Sequence, residues 1–558
     1  MKSNYQNWSL SALIGGLFWW INRGVIFATP YTIQDDARQH VFWMQRFQDP
    51  GLFQNDRIAD YFQSVAPWGY ANFYKVFALL GVDPITFSQF VPLILGVAAS
   101  VFCFGVCIEI CPKPQAGLIA VLLLNQNLWM VDDLSSGTPR AFLYPLFLGF
   151  LWAWLRSCSI VSEGVSQTGL TYLMVILLGL FYPPGVLLAT GILAIQGITQ
   201  PSRRTWQTAL GILLGVGILG IYATGAFEYG PLVSVDQARS QPEFLTGGRS
   251  EFFVNDTWQY WLFGRSGLLP ADWPYLLIFS FGLFLPWLKQ FKVFPLLQTI
   301  RPQWVILLDL LIVSLGLFVI AHVFLFRLHL PSRYMHHSLR IVFAIAGGIA
   351  LAGLLDGLSR WLSQRVLGRQ GFQNVLFVGL VALFLLPSVA VTAYPFRLAY
   401  FDGPSPELYA FLRTQPKDIV IGTISAEADF IPSFGRRSVL AAPEYGIPYH
   451  LGYYEPFRTG ALALLQAQYS ESTADLQGFL VQYPLTYWLL DRDAFEPGYL
   501  SESPWTRTFP VEIKQLDAQL PNTNPVLKTL RDRCTVFETE QVQLMDSQCL
   551  QTEITTSR

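Results

Sequence analysis

Charge is what this 558-residue chain has least of. Only 13% of its residues are Asp, Glu, Lys or Arg, about half the share of an ordinary soluble domain. A soluble enzyme of this length would expose more charge, so that class is excluded. Cysteine is also scarce, six in all, too few for a disulfide scaffold. A net charge of −2 provides no basic excess for nucleic acid. The chain lacks a P-loop, a dinucleotide fingerprint, an HExxH zinc motif and a GxSxG elbow in a suitable context. It shows no internal repeat and no low-complexity tract.

Apolar and aromatic residues fill the space. They make up 52% and 15% of the chain, with 17 Trp and 43 Phe, and mean hydropathy is +0.38. That excludes a disordered chain and indicates a polytopic α-helical membrane protein. Residues 396–558 are different: 13 basic and 20 acidic residues give a net of −7, against +5 for the remainder. The expected organisation is a transmembrane domain over 1–395 and a soluble α/β domain over 396–558. In the latter, 418–425, 437–442 and 487–491 read as strands and 406–415 and 473–483 as helices.

A span takes about 20 apolar residues. Eleven are expected: 9–28, 86–110, 115–131, 141–157, 168–182, 184–199, 205–226, 273–288, 303–326, 338–358 and 373–395. The first reads as an anchor, not a cleaved leader. The stretch 66–82 is short and carries Lys75, which suits an interfacial helix. Tyr182-Pro183-Pro184-Gly185 divides 167–200 into two short spans, because proline cannot continue a helix. This parity puts the purely basic short connections (Lys113; Arg203 and Arg204; Lys289, Lys292 and Arg301; Arg360, Arg365 and Arg369) on one side with Lys2. By the positive-inside rule that side is cytoplasmic. The C-terminal domain and the long connections 29–65 and 227–272 are then extracytoplasmic, in a multi-pass plasma-membrane protein.

Polar chemistry gathers on the outer side. Asp35 and Asp36 open the first connection, followed by Arg38. Adjacent carboxylates suit a helix start, and equally a general base or a metal ligand above the bilayer. Asp132, Asp133 and Arg140 crowd the second outer connection, as turn residues or as the lining of the same cavity. The third cluster, Arg327, His329, Arg333, His336, His337 and Arg340, concentrates cations suited to a phosphate. The spacing of His329, His336 and His337 fits no metal motif. No cofactor is implied, and a divalent metal is left open. Cys103, Cys107 and Cys111 share a helix face as packing residues. Cys534 and Cys549 flank a candidate hairpin, where a disulfide is permitted in an extracytoplasmic domain.

The acidic pair with Arg38 at the head of the first outer connection resembles the signature of the GT-C glycosyltransferases. It is most similar to the protein-mannosyltransferase and lipid A aminoarabinose-transferase branches, which carry Asp-Glu there; Asp36 in place of Glu is a mild departure. The layout, a first span, a long first loop, about a dozen spans and an outer C-terminal domain, resembles theirs too. The resemblance implies an inverting transfer of a sugar from a polyprenyl-phosphate donor to a glycan, lipid or protein hydroxyl. It makes Asp35 the base, with Asp36 beside it. Arg333, Arg327, His329, Arg140 and Arg38 would bind donor phosphate, and Asp132, Asp133, His336 and His337 would line the acceptor cavity. The competing readings are a transporter or flippase of a lipid-linked or anionic solute, and a non-catalytic assembly protein.

Overall fold

The computed structural model describes residues 2–158, 164–199, 205–224, 228–269, 280–328, 330–363 and 398–556, with scattered positions between 371 and 383. Helix α1 (Lys2–Ile26) leads into strand β1 (Thr32–Gln34) and helices α2 (Asp35–His40), α3 (Arg57–Val65) and α4 (Trp68–Leu79). The bundle continues through α5 (Pro84–Ile110), α6 (Pro114–Leu128), the single turn α7 (Asp132–Ser135) and α8 (Leu143–Cys158). Then come α9 (Gly164–Phe181), α10 (Pro184–Thr199) and α11 (Thr205–Thr224). Short helices α12 (Val235–Ser240) and α13 (Thr257–Leu262) lie in the second long connection, before α14 (Val305–Val323) and α15 (Pro331–Ser363).

Small residues let these helices touch. A Cβ on Gly15 of α1 would sit 2.7 Å from the Gly96 carbonyl of α5, and one on Gly348 of α15 would sit 2.5 Å from the Ala120 nitrogen of α6. Such close backbone approach is how helices pack where no water drives them together. Helix α4 buries Tyr70 and Tyr74 and exposes Trp68 and Leu79, the two-sided character of an interfacial helix.

Among the described residues, five segments are long and apolar enough to cross a membrane: Pro84–Ile110, Pro139–Cys158, Thr205–Thr224, Pro302–Val323 and Pro331–Trp361. Thr168–Phe181 and Pro184–Thr199 are shorter apolar helices on either side of the Pro-Pro break. The count of eleven is therefore not shown. Expected spans 9–28 and 115–131 correspond to α1 and α6. Most of 373–395 lies outside the described residues, as do 273–279, His329, Arg203, Arg204, Arg365, Arg369 and both sides of the expected 395/396 boundary. Residues 280–288 form a 3-10 turn and a four-residue helix.

One boundary matters for the site. A span was expected from 338, with the basic cluster in the connection before it. Helix α15 instead begins at Pro331, since proline is preorganised for the first helical position and loses no needed donor there. The basic cluster from Arg333 onward is thus helical.

Residues 400–556 carry a five-stranded mixed sheet, order β4-β3-β5-β7-β6. Strand β3 (Val420–Gly422) lies parallel to β4 (Ser438–Val439) and β5 (Tyr487–Asp491). Strand β5 is antiparallel to β7 (Val542–Asp546), which forms a hairpin with β6 (Thr535–Glu538). A Cys534–Cys549 disulfide ties this hairpin to the last helix. The sheet does not stand apart from the bundle. Strand β2 (Tyr400–Asp402) pairs antiparallel with β1, Tyr61 of α3 stacks on Tyr453 at 3.7 Å, and one apolar core runs from Ile14 to Ile554. A smaller cluster joins Phe244 and Phe252 of the second long connection to Phe326 and Leu330, just before α15.

Candidate functional site

The acidic pair starts α2. The Asp35 amide donates to the Ala399 carbonyl at 2.8 Å, and Asp35 and Asp36 occupy the first turn, where the helix dipole favours carboxylates. Successive helical residues point about 100° apart, so the two side chains serve different partners. Asp35 is ion-paired with Arg38. Asp36 Oδ2 lies 2.5 Å from Arg140 Nη2. The site therefore has two poles, one on each carboxylate.

The Asp35 pole is built with the C-terminal layer. Arg38 Nη2 is 3.3 Å from Glu444 Oε2, and its Nη1 is 3.8 Å from Asp429 Oδ2. Arg249, from the second long connection, reaches Glu444 Oε1 at 2.8 Å, and Gln39 donates to the same oxygen. The guanidinium of Arg38 lies against the rings of Phe430 and Phe401, at 4.8 and 5.2 Å. Asp429 and Glu444 sit in 3-10 turns that follow β3 and β4. These turns lie at the carboxyl ends of parallel strands, where open α/β sheets place ligand-binding groups. Three buried or half-buried carboxylates share two guanidiniums. Burial pushes the Glu444 carboxyl up to about 7, although Arg249 and Arg38 oppose it. Asp429 is raised for the same reason, against Arg38. Arg249 is raised despite burial, because Glu444, Asp35 and Asp429 favour its charge.

The Asp36 pole belongs to the bundle. Arg140 bridges Asp36 to Asp132 at 2.7 Å and to Asp133 at 3.7 Å. A left-handed Gly137, φ +59°, turns the chain after α7 so that Arg140 folds back over Asp132; glycine adopts that conformation without penalty. Asp133 is the hub. Arg333, Arg340 and His337 approach it at 3.6, 3.7 and 3.5 Å, and the Tyr144 hydroxyl donates to it at 2.8 Å. Burial works against its charge, but His337, Arg340 and Arg140 hold Asp133 well below the usual carboxylate range. Asp36 is also held low: Arg140, His40 and Arg333 outweigh its burial. Asp35 and Asp36 are neighbours in α2, so the two poles adjoin there.

Asp35, Asp36, Arg38, Asp132, Asp133, Arg140, Arg333 and His337 are thus gathered into one polar region. Asp36, not Asp35, is the member of the pair tied to Arg140 beside the basic cluster. Arg327 is exposed and has no ion-pair partner among the described residues. His336 is half-buried, and its Nε2 has no hydrogen-bond partner among the described residues. No group of three or more His, Cys, Asp or Glu is arranged to hold a metal among the described residues; the carboxylates are bridged by guanidiniums.

Glu444, Asp429, Arg249 and Tyr144 were not among the expected site residues, and Arg340 was expected only as a member of the basic cluster, with no role of its own. Arg340 carried a usable signal: once α15 starts at Pro331, Arg333, His337 and Arg340 recur at i, i+4 and i+7, one helix face. Arg249 stood among several charges in its connection. Asp429 and Glu444 had no local signal.

No family model and no curated protein sequence matches the chain. Solved structures do. The Archaeoglobus fulgidus oligosaccharyltransferase, tethered to an acceptor peptide, matches with a TM-score of 0.52 at 12% identity, over 92% of this chain and 72% of that one. The Archaeoglobus fulgidus oligosaccharyltransferase AglB, in complex with an inhibitory peptide and a dolichol-phosphate, matches with 0.52 at 12% over 91% and 72%. ArnT from Cupriavidus metallidurans in the apo state gives 0.46 at 14% over 95% and 97%. At such identity the likeness is one of fold. The chain has the fold of the Archaeoglobus fulgidus oligosaccharyltransferase, the kind of architecture the acidic motif resembled, and among the described residues five segments are long and apolar enough to cross a membrane.

Proposed function

We propose that the protein is an inverting membrane glycosyltransferase that moves a sugar from a polyprenyl-phosphate donor to an acceptor hydroxyl. The reaction would run at the end of the bundle that carries the C-terminal domain, on the extracytoplasmic side. The observation that carries this reading is the divided acidic pair: within a GT-C fold, α2 sets one half-exposed carboxylate beside a second that is tied to a guanidinium pole.

Asp35 is the base. Its side chain is 31% exposed, and among the described residues only one of its oxygens is engaged, by Arg38. The free oxygen takes the proton of the acceptor hydroxyl. The hydroxyl oxygen bonds to the anomeric carbon as the bond from that carbon to the phosphate oxygen breaks, which inverts the centre. The departing lipid phosphate carries the electron pair and meets Arg333 and Arg140. Asp133 keeps these cations in place beforehand, so little reorganisation is needed when charge develops. Arg38, fixed by Glu444 and two aromatic rings, orients Asp35. The C-terminal layer thus positions the base and faces the acceptor.

The test uses full-length protein in liposomes with a labelled polyprenyl-phosphate sugar. Asp35→Asn should lower turnover by 10²- to 10⁴-fold, the range for a lost general base, with donor binding and thermal stability kept. Undiminished transfer by this variant would refute the assignment. Translocation of the lipid-linked sugar without transfer would favour a flippase.

A further inference from the structure

The second long connection holds a cleft of about 370 Å³ that shares no residue with either pole. Its walls include Arg239, Phe253, Asn255, Thr257, Tyr260 and Trp261. Arg239 leans over the Phe253 ring at 4.9 Å. Among the described residues it has no carboxylate partner and no acidic side chain lines the cleft. The other polar groups there, an amide, two hydroxyls and an indole N–H, are all able to donate hydrogen bonds.

The cleft abuts the apolar flank of the bundle. Trp261 lies 4.9 Å from His322, in the last turn of α14, and Tyr260 lies 6.0 Å from it. Beside that turn, Val319, Ile320, Val323 and Phe324 face outward and are exposed. In a membrane-spanning helix this surface is covered by acyl chains. Trp258, in the same short helix as Tyr260 and Trp261, is 74% exposed, and indole rings of this kind anchor to the headgroup zone. A lone cation with donors above a lipid-facing surface fits an amphiphile whose head is a single negative charge and whose tails lie along α14.

We propose that this cleft is a binding site for an anionic glycerophospholipid of the surrounding bilayer, with its phosphodiester on Arg239. One guanidinium matches the one charge of a phosphodiester. The lipid would also brace the segment before α15, because Phe252 and Phe244 of this connection pack on Phe326. The site stands whether or not the protein is a transferase.

Native mass spectrometry of the full chain in uncharged detergent tests it, with added phosphatidylglycerol, polyprenyl phosphate or inorganic phosphate. Phosphatidylglycerol should bind the wild-type protein, and Arg239→Gln should weaken this about tenfold, the effect of one charge-assisted hydrogen bond. Lys514→Gln, which removes an exposed charge elsewhere, should change nothing. Arg239 is exposed, so an unchanged unfolding temperature in lipid-free detergent checks that the variant folds. Equal phosphatidylglycerol binding by wild type and Arg239→Gln, or equal weakening by Lys514→Gln, would overturn the proposal. So would binding of inorganic phosphate alone with the same affinity, or tighter Arg239-dependent binding of polyprenyl phosphate.

Discussion

Replacing Glu444 by glutamine tests the charge balance of the Asp35 pole. Among the described residues, Asp35, Asp429 and Glu444 are ion-paired only with Arg38 and Arg249, so two guanidiniums serve three carboxylates. The protein relieves this imbalance by keeping a proton: the Glu444 carboxyl rises from 4.5 to about 7. At 1.36 kcal/mol per pH unit, the ionised form is disfavoured by about 3 kcal/mol relative to an unfolded chain. The folded state binds this proton more tightly than the unfolded state. The stabilisation is therefore complete below pH 4.5 and is lost as pH rises to about 7. In Glu444→Gln two carboxylates face two arginines and the proton is no longer needed. Infrared difference spectra should show a protonated-carboxyl band in the wild type that vanishes with a midpoint near 7, and no such band in the variant. The stability of the variant relative to wild type should grow by about 3 kcal/mol from pH 4.5 to 8. A midpoint in the ordinary carboxylate range, or one that persists in the variant, would refute the charge count.

Asp133→Asn removes the hub that Arg140, Arg333 and Arg340 share. It should destabilise by about 3–5 kcal/mol in thermal or denaturant unfolding, because buried cations lose their counter-ion, and Arg333→Gln added to it should recover part of the loss. Cys534→Ser opens a loop of 15 residues, which should lower stability by about 3 kcal/mol on loop-entropy grounds; wild-type protein under reductant should show the same shift. A reporter active only in the cytoplasm, fused after Arg558, should be silent, and a strong signal would overturn the proposed orientation.

The sequence by itself determined where helices form and break. Apolar runs of span length fixed α5, α8, α11 and α14 to within a few residues, because helix burial requires a continuous apolar stretch. The Pro-Pro pair fixed the gap between α9 and α10, since proline acts on its own backbone. Three strands of the C-terminal sheet and the carboxylates at the head of the first connection were legible for the same reason: they are local. The start of α15 at Pro331 was also a local signal, but apolarity beginning at 338 masked it. Only the tertiary structure decided the partners. Arg38 and Glu444 are 406 residues apart, and they meet because β1 pairs with β2 and docks the carboxyl edge of the sheet over α2. Asp35 and Asp36 look equivalent as neighbours in the chain. The helical turn between them sends one to Arg38 and the other to Arg140. The Asp35–Arg38 pair is local to one helix, but the Asp36–Arg140 and Arg38–Glu444 pairs depend on how separate elements pack, which no short stretch of sequence encodes.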